Sequence, residues 1–139
     1  MKKILSILLV LGVVFCLTGC GLGKPSTLDC TQKISFAEIE LTANFVGKKV
    51  TSMSMKYDMD LSKYSDSIVN TMASQDYCTS VQKRLSQYTL ADCSQTVENK
   101  HIILKSGIDI NNIKKTQLIG SPEATKVELE KQGYTCTLK

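Results

Sequence analysis

The first residue whose type and position suggest chemistry is Cys20, which ends a distinctive N-terminal stretch. Two lysines precede an apolar run of about fourteen residues, and two small residues, Thr18 and Gly19, separate that run from the cysteine. A run of this length matches the apolar region of a cleavable signal peptide. It is shorter than the roughly 20 residues that a transmembrane helix needs. The chain is therefore predicted to be exported, with residues 1–19 removed as a signal peptide.

The tetrapeptide Leu17-Thr18-Gly19-Cys20 resembles a bacterial lipobox. This resemblance implies that diacylglycerol is attached to the Cys20 thiol and that a lipoprotein signal peptidase cuts just before Cys20. Two acyl chains, worth roughly 0.8 kcal/mol for each buried CH₂, hold a protein stably on a membrane. Residues 20–26 then form a short lipidated tether, and we expect an extracytoplasmic protein that is lipid-anchored to the bacterial cell membrane. A secreted protein with an ordinary Cys20 thiol is the alternative.

Four further cysteines remain after the predicted cleavage, and their number predicts two disulfides. They are Cys30, Cys78, Cys93 and Cys136. An even count in an exported domain is typical of a disulfide framework, for which four cysteines allow three pairings. No two of them form a CxxC motif, which argues against a redox-active pair. Free thiols and metal ligation are the alternatives.

Among the three pairings, we predict Cys78 with Cys93 and Cys30 with Cys136. Cys78 falls late in a predicted helix and Cys93 opens the strand reached one loop later, so a single chain reversal brings the two together. Cys30 and Cys136 lie in the first and last predicted strands. Terminal strands of an antiparallel sheet often become neighbours, which favours this long-range bridge.

Few other side chains offer catalytic or metal chemistry. Glu38 and Glu40 share one face of a predicted strand, but glutamates are common on exposed faces and no catalytic motif accompanies them. His101 is the only histidine and is expected to be a solvent-facing or edge imidazole. Three methionines between residues 53 and 59 could bind Cu(I), yet they lie on the face that their strand buries, where methionine is an ordinary core residue. We expect no catalytic residue, no metal and no cofactor.

The charge balance argues against a nucleic-acid partner. Without the two lysines of the signal peptide, Lys plus Arg falls from 17 to 15 against 13 acidic residues, so the formal charge is +2. Neighbouring basic residues such as Lys48-Lys49 are explained by solvated faces, with weak attraction to anionic lipid headgroups as the alternative. The remaining length of about 120 residues suits one core. Residues 27–139 are therefore predicted to form a single domain.

The clearest secondary structure is a hairpin between residues 37 and 59. From Ala37 to Phe45 the odd positions are apolar and the even positions polar, which is the period-two pattern of a strand with one buried face. The alternation resumes from Met53 to Met59, after a turn at residues 46–49. We expect two antiparallel strands that bury their odd-numbered side chains.

Helical and strand patterns alternate along the rest of the chain. Ser121-Pro122-Glu123 is a strong helix start and Gly133 the matching stop. The other predicted elements are a strand at 27–33, a helix at 62–88 with a bend or break at 74–76, strands at 92–98 and 100–110, a helix at 122–132 and a strand at 134–139. This order, β-β-β-α-β-β-α-β, predicts an α+β fold: a largely antiparallel sheet of about five to six strands with two helices on one face.

Several motifs resemble small bacterial lipoproteins of the YehR-like group. They are the lipobox, Leu28-Asp29-Cys30-Thr31, Met55-Lys56-Tyr57-Asp58, Asp76-Tyr77-Cys78, and the stretch from Ser121-Pro122-Glu123 to Gly133-Tyr134-Thr135-Cys136-Thr137. The resemblance covers nearly the whole chain. It implies an exported lipoprotein and supplies no active-site residues.

Three classes of function fit these observations. We favour a non-enzymatic, membrane-anchored binding or interaction module at the cell envelope, which engages an envelope protein through the polar sheet face or a sheet edge. The alternative is a small-ligand carrier or sensor, which needs an apolar cleft between helix and sheet. An enzyme is the third class. A filled core beside a flat exposed sheet would favour the first class over the other two.

Overall fold

Six antiparallel strands form one sheet in the part of the chain that the computed structural model describes, residues 23–84, 90–110 and 120–139. The strands are β1 (Pro25–Ile34), β2 (Ala37–Val46), β3 (Lys49–Asp60), β4 (Leu90–Glu98), β5 (His101–Ile108) and β6 (Thr135–Leu138). Their order across the sheet is β4-β5-β3-β2-β1-β6. Three helices complete the described elements: α1 (Asp66–Ala73), α2 (Tyr77–Arg84) and α3 (Pro122–Lys131). The fold is α+β with an antiparallel sheet, as predicted.

The hairpin of β2 and β3 follows the predicted alternation. Ala37 lies opposite Met59 and Ala43 lies opposite Met53, so the odd-numbered side chains of both strands share one face. The chain turns at Gly47, whose φ of 61° is a left-handed conformation that glycine adopts without steric penalty. The predicted hairpin and its shared face are confirmed.

All three helices pack on the face that carries these odd-numbered side chains. Beside α3 the core consists of Leu28, Cys30, Ala43, Phe45, Val50 and Cys136, and beside α1 and α2 it consists of Ala37, Met59, Leu61, Val69 and Ile102. Met53 packs against the first cluster and Met59 belongs to the second. The methionines therefore lie on the core face, where the alternation of their strand places them.

The single long helix predicted at 62–88 is two helices, which makes three in the described chain rather than two. The break falls at residues 74–76, as predicted, and Gln95 of β4 holds it. Its Nε2 donates to the carbonyl oxygens of Ala73 and Gln75 at 3.0 and 3.1 Å, and its Oε1 accepts from the Tyr77 N–H at 3.2 Å. The start was also predicted too early. Residues 62–65 precede α1, which begins at Asp66, and residues 85–89 lie outside the described chain.

Helix α3 begins and ends where the sequence predicts. The Ser121 Oγ accepts a hydrogen bond from the Ala124 N–H at 3.3 Å, and Pro122 occupies the first helical position. The helix ends before Gly133, whose φ is 93°. Leu129 packs against the core while most of the helix stays outside it. The helix therefore packs at the rim of the sheet, against β1 and β6.

Both predicted disulfides are present. Cys30–Cys136 joins β1 to β6, and Cys78–Cys93 joins α2 to β4. Paired cysteines are compatible with a location outside the reducing cytoplasm.

The strand β1 begins at Pro25, two residues before its predicted start. Pro25 and Ser26, predicted as part of the tether, therefore belong to the sheet. The predicted signal peptide and Cys20 lie outside the described residues. Within residues 23–84, 90–110 and 120–139, no helix has the length and hydropathy needed to cross a bilayer.

Candidate functional site

The sheet face opposite the three helices, here called the open face, carries polar side chains from every strand. The register of the sheet aligns the even-numbered residues of β2 and β3 with the odd-numbered residues of β1 and β5 on this face. Its charged groups include Asp29, Glu38, Glu40, Lys56, Asp58 and His101. This is the polar sheet face that the sequence analysis favoured as a binding surface.

Each of the two glutamates considered as a catalytic pair has its own lysine. Glu40 lies directly opposite Lys56, and the Lys56 Nζ donates to Glu40 Oε1 at 2.9 Å. This hydrogen bond raises the pKa of Lys56 above its ordinary value. The Glu38 carboxylate lies 3.7 Å from the Lys33 Nζ. The two carboxylates therefore belong to separate cross-strand ion pairs, which is the arrangement of a polar surface rather than of an acid–base pair.

A third ion pair fixes the edge of the open face next to β6. The Lys139 Nζ donates to Asp29 Oδ2 at 2.8 Å, and the Thr42 hydroxyl donates to Asp29 Oδ1 at 3.0 Å. The bond from Lys139, followed by that from Thr42, lowers the pKa of Asp29. One carboxylate on β1 thus links this strand to β2 and to the residue that directly follows β6.

His101 lies on the open face between two carboxylates of β3. Its Nδ1 is 2.7 Å from Asp58 Oδ1, and its Nε2 is 3.7 Å from Asp60 Oδ1. The hydrogen bond with Asp58 raises the pKa of His101 above its ordinary value of about 6.5. Hydrogen bonds from Ser62 lower the pKa of Asp60. The imidazole, which was predicted to face solvent or to lie at an edge, is 36% exposed on the open face, and it has a carboxylate partner that no sequence pattern indicated.

An open cleft of about 530 Å³ lies beside the β1–β2 turn, at the His101 end of the open face. We call it the turn cleft. Its lining includes Phe36, Glu38, Asp58, Asp60, Tyr64 and His101. Phe36 is 43% exposed and Tyr64 is 40% exposed, so both present apolar surface to solvent. Phe36 extends the β2–β3 register because its carbonyl accepts from the Asp60 N–H at 2.8 Å.

A second, smaller cleft lies further along the same face. Its volume is about 300 Å³, and Glu40, Lys56 and Lys105 are among its lining residues. Lys56 lies directly opposite Lys105 in the β3–β5 pairing. Both clefts thus lie on the charged face rather than in an apolar space between helix and sheet.

The geometry at His101 does not match nucleophilic catalysis. In a Ser-His-Asp arrangement one imidazole nitrogen contacts the carboxylate and the other activates a hydroxyl. Here the second nitrogen faces the Asp60 carboxylate. Within the described ranges, no group of three or more His, Cys, Asp or Glu side chains has the geometry of a metal site. The arrangement is that of a charged surface with fixed side chains.

Phe36, Tyr64 and the two aspartates of β3 were not predicted from the sequence to be parts of one site. Asp58 and Asp60 are two residues apart in β3, so the sequence does indicate that both side chains lie on one face of the sheet. Their proximity to His101 depends on β3 pairing with β5, which follows two helices and another strand in sequence. No pattern within a short stretch of sequence indicates such a pairing.

Comparisons with known proteins give one distant structural neighbour. No protein-family profile matches the chain, and no curated protein is significantly similar to it. An NMR structure of a protein from Streptococcus pneumoniae TIGR4 is similar, with a TM-score of 0.46 and 13% sequence identity. The match covers 82% of this chain and 84% of the other. The similarity lies in the arrangement of the backbone and transfers no function.

Proposed function

We propose that this protein is a lipid-anchored binding module of the bacterial cell envelope, held by a diacylglyceryl group on Cys20. Its open face would engage an envelope protein, without catalysis. The N-terminal sequence pattern supports this location at the cell envelope, and two disulfides suit an oxidising compartment. The resemblance to YehR-like lipoproteins agrees with this proposal and stays a prediction.

The observation that carries the binding proposal is the pair of exposed aromatic rings beside the turn cleft. Protein interfaces combine a small apolar centre, rich in aromatic residues, with a polar rim. Phe36 and Tyr64 supply apolar surface, and Asp58, Asp60 and His101 supply polar groups next to it. The polar groups are held by hydrogen bonds and ion pairs, so a partner would meet a preformed surface.

A small-ligand carrier remains the alternative, and the packing favours the binding module. A carrier needs an apolar cavity between helices and sheet. In the described chain that space is filled by side chains such as Phe45, Leu61 and Ile102, each at most 1% exposed. Both clefts instead lie on the charged face and are open to solvent.

The anchor is tested by growing cells that express the protein with a labelled fatty acid. We expect the wild-type protein to take up the label and to fractionate with membranes. Cys20→Ser should abolish both. A Cys20→Ser protein that still carries label and partitions with membranes would show that the anchor proposal is wrong.

The partner is tested by site-specific photo-crosslinking on intact cells. A photoreactive amino acid replaces Tyr64 at the turn cleft or, as a control, Val127 on α3, which is 51% exposed. We expect one envelope protein to be captured from position 64 only. Adding Phe36→Ala should reduce that capture by about tenfold or more, the effect of removing an interface anchor. Adding Val127→Ala should leave it unchanged.

Two results would contradict the proposal. Equal capture from positions 64 and 127 would exclude the turn cleft as a specific contact. A reproducible enzymatic turnover that is abolished by a single point substitution would show that the protein is not merely a binding module.

A further inference from the structure

The start of the described chain is packed against the β2–β3 turn. Gly23 approaches Gly47 so closely that a Cβ on Gly23 would clash with the Gly47 Cα. The Gly47 N–H donates to the Lys24 carbonyl oxygen at 3.1 Å. The position of this turn relative to the N-terminal end of the domain is therefore fixed by backbone contacts.

Three lysines surround this contact, and we call Lys24, Lys48 and Lys49 the lysine tip. All three are exposed. Among the residues that the structure describes, none of the three makes an ion pair, whereas lysines elsewhere on the domain, such as Lys33, Lys56 and Lys139, pair with carboxylates. The lysine tip thus places three unpaired positive charges at the end of the sheet nearest to the tether, while other exposed lysines that make no ion pair among the described residues, such as Lys63 and Lys105, lie elsewhere on the domain.

The short tether determines how far the lysine tip can lie from the membrane. Only three residue steps separate Cys20 from Gly23, and an extended chain spans at most about 3.6 Å per residue, or roughly 11 Å in all. The headgroup layer of each leaflet is itself roughly 5–7 Å thick. A lipid on Cys20 would therefore hold the lysine tip at or within a few ångströms of the headgroups, inside the range of electrostatic attraction.

We propose that the lysine tip is a binding site for anionic phospholipid headgroups that orients the domain on the membrane. This inference rests on the proposed lipid anchor at Cys20. The acyl chains would supply the attachment, and the lysines would select one orientation of the attached domain. Each lysine beside an anionic surface shifts such an equilibrium about fivefold.

The orientation has a consequence for the turn cleft. β1 runs from Pro25, beside the lysine tip, to Ile34, beside the β1–β2 turn. Ten residues at about 3.3 Å each give a strand of roughly 30 Å. With the lysine tip on the headgroups, the turn cleft faces away from the membrane, where a partner protein can reach it.

The test uses the mature lipidated protein reconstituted in vesicles. The chain contains no tryptophan, so a single tryptophan reports one position. Thr51→Trp places the reporter beside the lysine tip, and Phe36→Trp places it at the turn cleft. Vesicles of phosphatidylcholine alone, or with phosphatidylglycerol added, carry a nitroxide-labelled headgroup that quenches nearby tryptophan. We expect stronger quenching of Thr51→Trp on the anionic vesicles and little quenching of Phe36→Trp on either.

Variants that replace lysines by uncharged glutamine test whether the lysine tip causes this orientation. Lys48→Gln/Lys49→Gln should lower the equilibrium constant for the orientation with the lysine tip on the headgroups of anionic vesicles by about 25-fold, because two lysines are lost. The control Lys33→Gln/Lys63→Gln removes the same charge at the opposite end and should leave the quenching of Thr51→Trp unchanged. Raising the salt concentration to about 1 M, where the screening length is about 3 Å, should remove the difference between the two lipid compositions.

The outcomes separate this inference from the proposed anchor. A protein that lacks the lipid mass on Cys20 and does not float with vesicles would overturn the anchor and this inference with it. A lipidated, floating protein whose Thr51→Trp quenching is the same on neutral and anionic vesicles, or the same with and without Lys48 and Lys49, would overturn this inference alone.

Discussion

Cys30 lies directly opposite Cys136 in the antiparallel pairing of β1 with β6, and the two sulfur atoms are bonded. This bond joins residues 106 positions apart and ties the end of the described chain to its first strand. The second bond, Cys78–Cys93, joins residues only 15 positions apart. The two bridges therefore constrain the unfolded chain to very different extents.

The long-range bridge should contribute more stability than the short one. In the chain-entropy model, a closed loop of 15 residues is worth about 3 kcal/mol and one of 100 residues about 4.7 kcal/mol. Cys30 and Cys136 are also buried in the core, so their truncation removes packing as well. We expect Cys30→Ala/Cys136→Ala to lower the unfolding temperature more than Cys78→Ala/Cys93→Ala, as measured by calorimetry.

Non-reducing peptide mapping of the wild-type protein is the control for this comparison. Linked peptides should join Cys30 to Cys136 and Cys78 to Cys93. A linked peptide joining Cys30 to Cys78, or four free thiols after oxidising purification, would contradict the pairing. An equal loss of stability in the two double variants would contradict the ranking.

Elements with a strong local signal could be predicted from the sequence. Period-two alternation identified β2 and β3, and the Ser121-Pro122 start and Gly133 stop bounded α3. The disulfide pairing followed from treating the first and last strands as neighbours, which β1 and β6 are. In each case the residues that set the structure are close in sequence, or the topology has few alternatives.

Features that depend on contacts between distant segments could not be predicted. Gln95 lies in a strand and fixes the break between α1 and α2, about 20 residues earlier in sequence. The pairing of His101 with Asp58 requires β5 to lie beside β3. The turn cleft requires the β1–β2 turn and the segment after β3 to meet at one end of the sheet. None of these contacts has a periodic pattern.

His101 should titrate above its ordinary value. The hydrogen bond with Asp58 favours the protonated imidazole, so the pKa of His101 in the folded protein is raised above about 6.5. The stabilisation from this pair is therefore fully present below pH 6.5 and is lost as the pH rises through the folded-state pKa. NMR titration of the imidazole measures the pKa, and denaturation at several pH values measures the stability.

Asp58→Asn is the variant that isolates this interaction. It should return the pKa of His101 towards its ordinary value and should remove most of the pH dependence of stability near neutrality. Thr96→Ala, a substitution at an exposed position of β4, should leave both unchanged. A His101 pKa at or below 6.5 in the wild-type protein would contradict the raised value.

Substituting Phe45 and Phe36 in turn should separate an effect on stability from an effect on binding, because the two side chains differ strongly in burial. Phe45 is 1% exposed and Phe36 is 43% exposed. Phe45→Ala should cost about 3–5 kcal/mol because it leaves a cavity in the core. Phe36→Ala should cost less than about 1 kcal/mol because its ring is already largely solvated. Urea denaturation measures both, and a cost for Phe36→Ala as large as that for Phe45→Ala would mean that Phe36 is a structural residue.

Gln95 should control how firmly α1 and α2 are held against the sheet. Its side-chain amide makes three hydrogen bonds to backbone groups at the break between the helices. Gln95→Ala leaves the carbonyls of Ala73 and Gln75 and the N–H of Tyr77 to find water, so a loss of about 1–3 kcal/mol is expected. Gln95→Glu keeps an acceptor for the Tyr77 N–H but places negative charge next to two carbonyl oxygens, and it should not restore stability.

Hydrogen exchange distinguishes this local role from a general loss of stability. In Gln95→Ala the amides of α1 and α2 should exchange faster relative to those of β1 and β2, because the hydrogen bonds that are lost hold only these two helices. Thr96→Ala changes the neighbouring residue, on the opposite side of the strand, and should leave the exchange of α1 and α2 unchanged. Uniformly faster exchange across the sheet and the helices in Gln95→Ala would show instead that α1 and α2 unfold only together with the whole domain.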